Sequence, residues 1–518
     1  MPIRTARKTP GVYVTELDAF PPSVVGIQTA VPAFIGYTQT ATLSGKPIPN
    51  KPVLIKSLAD YEQIFGGAPD PTFDLTEVTD LPKQKSGDYD FKVYDSAGST
   101  PGWKYYDLVP VVGTKYVLFN SLRLFYANGG GTAYIVSVGD YTSTLDAATL
   151  VGGLAVIAEQ VGPTMLVVPD AVNLTTLADY GTVATAMLSQ CGALQDRVAV
   201  LDVYGSATVT QTTLSTVISD YRGVLGSKFL NYGMTYFPFL HTSVQQVSDF
   251  DYTNIKTEAT LKSILLLESA NLYTNAPTRK TAVDADIAKI GTVTAPEDIQ
   301  ALNQNLTAAL PLLTDMLRIS TRKDDVLPSS GAMAGIYTWN DANRGVWNAP
   351  ANVSLTGVTS TTFKLNNEQQ SDLNVPVDGK AVNAVREFVG RGSVVWGART
   401  LDGNSNDWRY IQVRRTLTYA EQSIKAALDR FVFAANDGNT WASVNSMVSS
   451  FLQGLWSQGG LLGATASDAF SVECGLGSTM TAQDVLEGYM VVQVTLQMIR
   501  PAEFIELTFK QKMEGASA

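Results

Sequence analysis

The sequence predicts a multidomain chain that combines α/β and α+β architecture. Three observations lead there. Residues 145–240 alternate amphipathic helices with short, continuously apolar strands, the pattern of a mostly parallel sheet covered on both faces. Residues 241–330 read as helical. Residues 386–518 mix short strands with two helices and close on two strictly alternating strands. A chain of 518 residues has room for roughly two to four domains. Its 45 % apolar and 16 % charged content is that of a globular protein slightly poor in charge, which with 42 glycines suits surface hidden against copies of itself.

Residues 1–9 are basic and unpatterned, an expected arm. Val12 to Leu17 reads as a strand that Pro21-Pro22 keeps from continuing as a central one. Val24 to Tyr37 is β-branched and aromatic and enters the first folded domain. Val53 to Gly67 reads as strand, then helix, with Leu58, Tyr61, Ile64 and Phe65 at helical spacing and Gly66-Gly67 as the stop. Residues 70–107 hold eight acidic and four basic residues and aromatics in bursts (Tyr89, Phe91, Tyr94; Trp103, Tyr105, Tyr106), which predicts a solvated β insertion on the outer surface. Val117 to Asn128 reads as a helix. Gly129-Gly130-Gly131 ends it and leads into the strand Ala133 to Val138, the reverse of the strand, glycines, helix order of a phosphate loop.

The α/β rhythm follows. Helix Leu145 to Glu159 precedes strand Met165 to Val168, helix Leu174 to Leu188 precedes strand Val198 to Leu201, and helix Thr213 to Arg222 precedes strand Met234 to Phe237. No G-x-G-x-x-G lies at any of these turns, so dinucleotide binding has no support. Thr294-Ala295-Pro296-Glu297 reads as a capping box, and Pro311 is expected to bend the helix whose stripe runs from Ile299 to Leu317. Residues 353–380 suggest a hairpin.

In the last quarter Val394-Val395-Trp396 is a short strand between glycines, and Trp408 to Val413 reads as another. Thr418 with Glu421 reads as the capping box of a helix whose buried stripe is Ile424, Leu428, Phe431 and Val432. Asp437-Gly438-Asn439 breaks the chain before a second helix that buries Trp441, Val444, Val448, Phe451 and Leu455. Val492, Val494, Leu496 and Met498 alternate with Gln493, Thr495 and Gln497; after Pro501, Ile505, Leu507 and Phe509 alternate with Glu506, Thr508 and Lys510. A strand at the chain end needs its open edge covered internally or by another molecule.

Bulk properties and motifs exclude several classes. A net charge of −11 with no basic block argues against nucleic acid and anionic membrane as partners. No apolar run reaches the length of a membrane span, and the N-terminus lacks the apolar core of a signal peptide. Cys191 and Cys474 read as two small buried thiols in a reducing compartment. One histidine and two separated cysteines make no local zinc site, and Asp402-Gly403-Asn404-Ser405-Asn406 departs from a calcium loop at Asp407 and Val413, so no metal or cofactor is expected. The sharpest enzymatic alternative is a serine hydrolase of loosely subtilisin-like topology using Asp202, His241 and Ser330. Thr242 follows His241 where that family places glycine, so no catalytic residues are assigned.

The chain resembles a contractile tail sheath protein, the family that sheathes contractile phage tails and related bacterial injection particles. The resemblance rests on Thr9 to Val14, Val31 to Gly36, Phe125 to Gly130, Ser330 to Gly335, Arg344 to Asn352, Gly390-Arg391-Gly392, Val395 to Thr400 and Trp408 to Ile411. It implies an inner α+β domain built from both chain ends with exchanged terminal β-strands, and an outer α/β domain with a mostly parallel sheet and a β insertion. On that reading 1–20 is an N-terminal exchanged arm, 21–50 enters the core, and 51–140 is an outer domain with its insertion at 70–115. Residues 141–330 form the α/β middle domain with a helical part at 241–330. Core resumes at 331–385, the C-terminal inner domain spans 386–500, and 501–518 is the second arm.

From residues alone, pairing of both termini within their own subunit is the safer reading. The resemblance implies instead that Val12, Tyr13, Val14, Ile505, Leu507 and Phe509 lie in strands lent to neighbours. Around the first C-terminal helix Arg414, Arg415, Lys425 and Arg430 read as ordinary solvated or bridged charge; the resemblance implies instead that they face an inner tube. Expected partners are the chain itself in hexameric rings and a helical sheath, the tube protein, and baseplate and terminator proteins, with no nucleic acid and no membrane contact. Assembly would take place in the bacterial cytoplasm, for a phage tail or a released extracellular particle. A non-contractile tube or capsid subunit is the remaining structural alternative.

Overall fold

The computed structural model describes residues 23–96, 101–111 and 115–506. They divide into two compact units, 28–415 with 501–506, and 23–27 with 416–500.

The larger unit is organised by a nine-stranded sheet in the order Val353–Ser354, Gly392–Val395, Asn383–Phe388, Gly233–Phe237, Val198–Asp202, Met165–Val167, Pro32–Thr38, Ala133–Asp140, Val53–Ile55. The six strands from Asn383–Phe388 to Ala133–Asp140 pair in parallel, and the flanking strands are antiparallel. Central strands such as Val198–Asp202 and Gly233–Phe237 are buried at every residue, as a sheet covered on both faces requires. The helices Ala147–Ala158, Leu177–Leu194 and Leu214–Val224 occupy the expected stretches of the rhythm.

Two further helices, Leu118–Ala127 and Ser330–Arg344, pack on each other at glycine contacts. A β-carbon on Gly331 would stand 2.5 Å from the Ser121 carbonyl oxygen, and one on Gly335 2.5 Å from that of Phe125. The small-residue run Ser330 to Gly335 is thus a backbone-to-backbone seam. Each helix is tied to the sheet by a buried carboxylate just beyond the C-terminal end of a parallel strand or closing it. Asp170 accepts the N–H groups of Val117 (2.7 Å) and Leu118 (3.1 Å) at the start of the first helix, and that of Tyr37 (2.9 Å). Asp202 accepts the Ser330 N–H (2.8 Å) at the start of the second. Unpaired N–H groups and the positive end of the helix dipole both favour a carboxylate there. Burial pushes the Asp202 carboxyl up to about 7 and that of Asp170 up to about 6, against the opposing effect of these hydrogen bonds.

A second core in the same unit joins segments far apart in sequence. The sheet Phe73–Glu77, Gly102–Pro110, Phe91–Asp95 turns Phe73, Leu75, Phe91, Val93, Tyr106 and Leu108 onto the helices Glu258–Leu272, Pro277–Lys289, Pro296–Ala309 and Pro311–Lys323. The insertion is therefore solvated on one face only, because its two-residue alternation creates an apolar face that needs a cover. Backbone pairing at Lys256 N–H to Phe73 carbonyl (2.8 Å) fixes the junction.

Several local expectations change. Trp408 to Val413 is not a strand: only Arg399 and Tyr410 form a bridge, and a helix Ile411–Leu428 begins there. Residues 411–416 are all buried, so one-sided alternation carries no information in that turn. Thr418 consequently sits buried in mid-helix, seven residues past the helix start rather than at it. Pro311 does not bend a helix but starts a new one after Leu310 leaves helical geometry (φ −127°, ψ 94°), since proline cannot donate to the preceding turn. The Thr294 capping box is absent; Ala295 is the cap position and makes no side-chain bond. Residues 353–380 form no hairpin, because Val353–Ser354 pairs with Gly392–Val395 while Val358–Thr361 pairs with Leu240–Thr242, and Asn367–Asn374 is a helix. Strands Asn383–Phe388 and Gly392–Val395 lie in the nine-stranded sheet, so the division between units falls at 415/416, inside the segment expected from 386 to 500.

The smaller unit holds the helix Gly438–Ser457, whose Val444, Met447, Val448, Leu452 and Leu455 are buried, and an antiparallel pair, Phe470–Glu473 with Gln493–Leu496. Ile27 donates its N–H to Ser423 (3.2 Å), attaching the incoming N-terminal segment to residues 416–428 of the long helix.

Two predictions follow from the larger unit. Asp202 has a folded-state pKa above its ordinary value, so its contribution to stability is complete at low pH and is lost as pH rises toward 7. Asp202→Asn keeps the acceptor for Ser330 without the buried charge. Urea titrations are expected to show it gaining on the parent by on the order of a few kcal/mol at about pH 8 and little at about pH 4. A difference that does not vary with pH would contradict this. Arg415→Ala, which strands the buried Asp341 carboxylate described below, is expected to destabilise the isolated subunit by roughly 3–5 kcal/mol in the same assay.

Candidate assembly surfaces

The residues of the hydrolase alternative do not assemble. Ser330 meets Asp202 through its backbone N–H as a helix cap, and its side chain is buried. His241, on the strand Leu240–Thr242, places Nδ1 2.8 Å from Asp325 Oδ1. Among the described residues no group of three His, Cys, Asp or Glu side chains is placed to hold a metal ion.

Of the four basic residues expected on a tube-facing surface, two are buried at about 4 % exposure. Arg415 makes a bidentate pair with Asp341 (2.8 and 2.6 Å), donates to the Thr29 carbonyl (3.0 Å) and lies over the Tyr337 ring. The Arg414 guanidinium lies against the rings of Tyr232 (4.7 Å) and Trp408 (4.6 Å). Both therefore hold the first turns of the helix Ile411–Leu428 within the larger unit and present nothing to a partner. The helix starts seven residues earlier than the sequence suggested, which moved them from a solvated flank to an enclosed turn. Lys425 and Arg430 are exposed.

Val12, Tyr13, Val14, Leu507 and Phe509 lie outside the described residues. Ile505 is described. It is 78 % exposed, next to Phe504 at 75 %, and residues 501–506 contain no strand. Just before them, Glu503 is held firmly. Its carboxylate receives Arg399 Nε (2.9 Å) and Nη2 (2.5 Å), Asn374 Nδ2 (2.8 Å) and, at 3.3 Å, the Tyr410 hydroxyl. Burial alone would raise the Glu503 carboxyl, but the bonds from Arg399 and Asn374 hold it below the usual carboxylate range. Arg399 belongs to the Val395 to Thr400 run singled out above, yet nothing in sequence paired it with a residue 104 positions on.

In the smaller unit the antiparallel pair stands alone: among the described residues no other strand pairs with Phe470–Glu473 or Gln493–Leu496. Val492, Val494 and Leu496 project to one face and are only half buried. Together with Leu417, Ile424 and Leu428 of the long helix they line a groove of about 780 Å³. Phe431, Val432 and Phe433 continue its apolar lining; Val432, expected to close the buried stripe, is exposed, as is the neighbouring Phe433. A two-stranded sheet with no further strand at its edges, beside an uncovered apolar face, is chemically suited to take up another extended segment: the edge offers N–H and C=O groups, the groove offers apolar contact.

Residues 404–512 match the phage tail sheath C-terminal domain family. The tail sheath protein of Burkholderia phage BcepMu is 28 % identical over 152 residues, 28 % of this chain and 32 % of its own length, so the chain matches about a third of that relative. Over nearly the whole chain, the fold is similar to two solved chains of the anti-feeding prophage. One is from its six-fold symmetrised baseplate (TM-score 0.59, 26 % identity, 98 % of this chain and 100 % of that one). The other is from its helical sheath in the contracted state (TM-score 0.57, 26 % identity, 98 % and 100 %). A match confined to the C-terminal quarter and a likeness of fold over the rest agree on one assignment: this chain is a contractile tail sheath protein of the kind found in phages and phage-like injection particles, a structural family without enzymatic activity.

Proposed function

We propose that this chain polymerises as stacked hexameric rings around an inner tube, with its terminal segments lent as strands to neighbouring copies, and that reorientation of the subunits shortens the cylinder and drives the tube forward. The observation that carries this reading is the lone two-stranded sheet beside the open apolar groove of residues 417–496. It lies inside the stretch matching the sheath C-terminal domain. The donated segments are those around Val12, Tyr13 and Val14 and around Ile505, Leu507 and Phe509. The exposure of Phe504 and Ile505 suits a segment whose apolar side chains find their cover elsewhere.

Energetics favour two donated strands over one. A strand of about six residues adds several backbone hydrogen bonds, each worth roughly 0.5–1.5 kcal/mol net. Association costs on the order of 4–15 kcal/mol in lost freedom. One arm is marginal; two arms with apolar burial in the groove are sufficient. Partners on this reading are the tube protein, a baseplate and a terminator, and the particle is a phage tail or an extracellular injection particle assembled in the bacterial cytoplasm. Lys425 and Arg430 remain as the exposed basic pair on the helix side that would meet the tube.

Deleting residues 1–18, or placing Asp at both Val492 and Val494 in the groove, is expected to leave a folded subunit by circular dichroism that forms no sheaths by negative-stain microscopy. Normal sheaths from both variants would end the strand-lending reading, and cylinders of one fixed diameter under all conditions would favour a non-contractile tube. Arg430→Glu is expected to leave self-assembly intact but to reduce co-sedimentation with tube by several-fold, as loss of a charged contact does; Lys425, which also lines the groove, is left unchanged in this test. Unchanged co-sedimentation would remove Arg430 from the tube surface.

A further inference from the structure

The C-terminal segment leaves the larger unit through a single side chain. Residues 501–506 have no strand or helix, and Glu503 is the one among them that is tied by an ion pair. The receiving side is built for it. Arg399 is about 4 % exposed, and its backbone is locked in both directions by Asn383, whose Oδ1 accepts the Arg399 N–H (2.7 Å) and whose Nδ2 donates to the Arg399 carbonyl (2.7 Å). Asn383 itself begins the strand Asn383–Phe388 of the nine-stranded sheet. The guanidinium also donates Nη1 to the Asn374 carbonyl (3.0 Å) at the end of the helix Asn367–Asn374, while the Asn374 side chain donates to Glu503. One carboxylate from the terminal segment thus completes a buried, otherwise pre-organised site. A buried guanidinium deprived of its carboxylate is costly, so the site holds that carboxylate strongly.

We propose that Arg399 is a positioning residue for assembly: through Glu503 it clamps the root of the C-terminal arm to the nine-stranded sheet, so that an arm lent to a neighbour pulls on the rigid sheet of its own subunit. This rests on the strand-lending reading above. The clamp sets where Phe504 and Ile505 emerge and in which direction. The six residues from 504 to 509 can reach at most about 20 Å from that point, so displacing the root displaces the whole donated strand.

The test compares the full-length chain with Glu503→Ala, Glu503→Gln, Arg399→Lys and a chain ending at Glu503. In the unassembled subunit, chymotrypsin cleavage after Phe504, one residue beyond the clamp, followed by mass spectrometry, reports the clamp directly. It is expected to accelerate on the order of tenfold or more in Glu503→Ala, with other sites in the folded body unchanged. Glu503→Gln, which keeps the shape but gives up the charge and one of the two acceptor oxygens that Arg399 uses, is expected to restore only part of the protection. Sheath yield by sedimentation is expected to fall in parallel. If Glu503→Ala unfolds, cleavage spreads over the body, and Arg399→Lys, which keeps the charge but loses the fork, is read in its place. Unchanged cleavage after Phe504 together with normal sheaths in the point variants overturns the clamp. If the chain ending at Glu503 nevertheless forms no sheaths, strand lending survives that result; if it too forms normal sheaths, strand lending fails with the clamp.

Discussion

The larger unit depends on two buried carboxylates at the C-terminal ends of adjacent regions of a parallel sheet. Parallel strands bring successive chain reversals to one edge, where a helix start with unpaired N–H groups needs an acceptor. Asp170 and Asp202 supply it to Leu118–Ala127 and Ser330–Arg344. The two helices can then approach until only glycine fits between them, at Gly331 and Gly335. Position is fixed at one end by hydrogen bonds and along the length by steric exclusion. Further along the second helix, Asp341 receives Arg415, so the first turns of Ile411–Leu428 are attached to the same framework.

This explains why a region that looks catalytic in sequence is mechanical in structure. Parallel α/β sheets commonly place active sites beyond the carboxyl ends of strands, and here Asp202 and Ser330 do meet there. They meet backbone to carboxylate, with the hydroxyl buried and the histidine paired to Asp325. The raised pKa of Asp202 comes from burial, the same cause that raises catalytic carboxylates, but the cavity it lines is only about 10 Å³.

What the sequence disclosed followed the strength of local patterning. The strands Met165–Val167, Val198–Asp202 and Gly233–Phe237 are continuous apolar runs bounded by helices, and period and length agree on them. The pairing of the 73–110 sheet with helices beyond residue 255 was not legible, since neither segment encodes its cover. The run Trp408 to Val413 misled because a turn buried on all sides has no polar phase to reveal its period. Arg414 and Arg415 misled for a related reason: charge suggests solvent, and only the three-dimensional neighbours Asp341, Tyr337, Tyr232 and Trp408 say otherwise. The groove was half visible, in the alternation from Val492 to Met498; its other wall lies on a helix about 70 residues earlier. Arg399 with Glu503 was invisible as a pair, because an ion pair across a hundred residues leaves no spacing signature.

Contraction asks two opposite things of one subunit. A body must stay rigid to transmit displacement, while links between bodies must tolerate changes of angle. Backbone strand pairing suits the link, since its hydrogen bonds survive the bending and twisting that sheets ordinarily show. It suits the body poorly unless both faces are covered. The division of the described chain follows this contrast: a doubly covered nine-stranded sheet in one unit, a two-stranded sheet with an uncovered face in the other. A link is only as firm as its root, however. An arm attached by irregular backbone alone would peel back residue by residue under load, each step breaking one weak contact. A bidentate pair anchored on a buried, backbone-locked arginine must break as a whole, and that cooperativity is what the geometry at Glu503 would add to a lent arm.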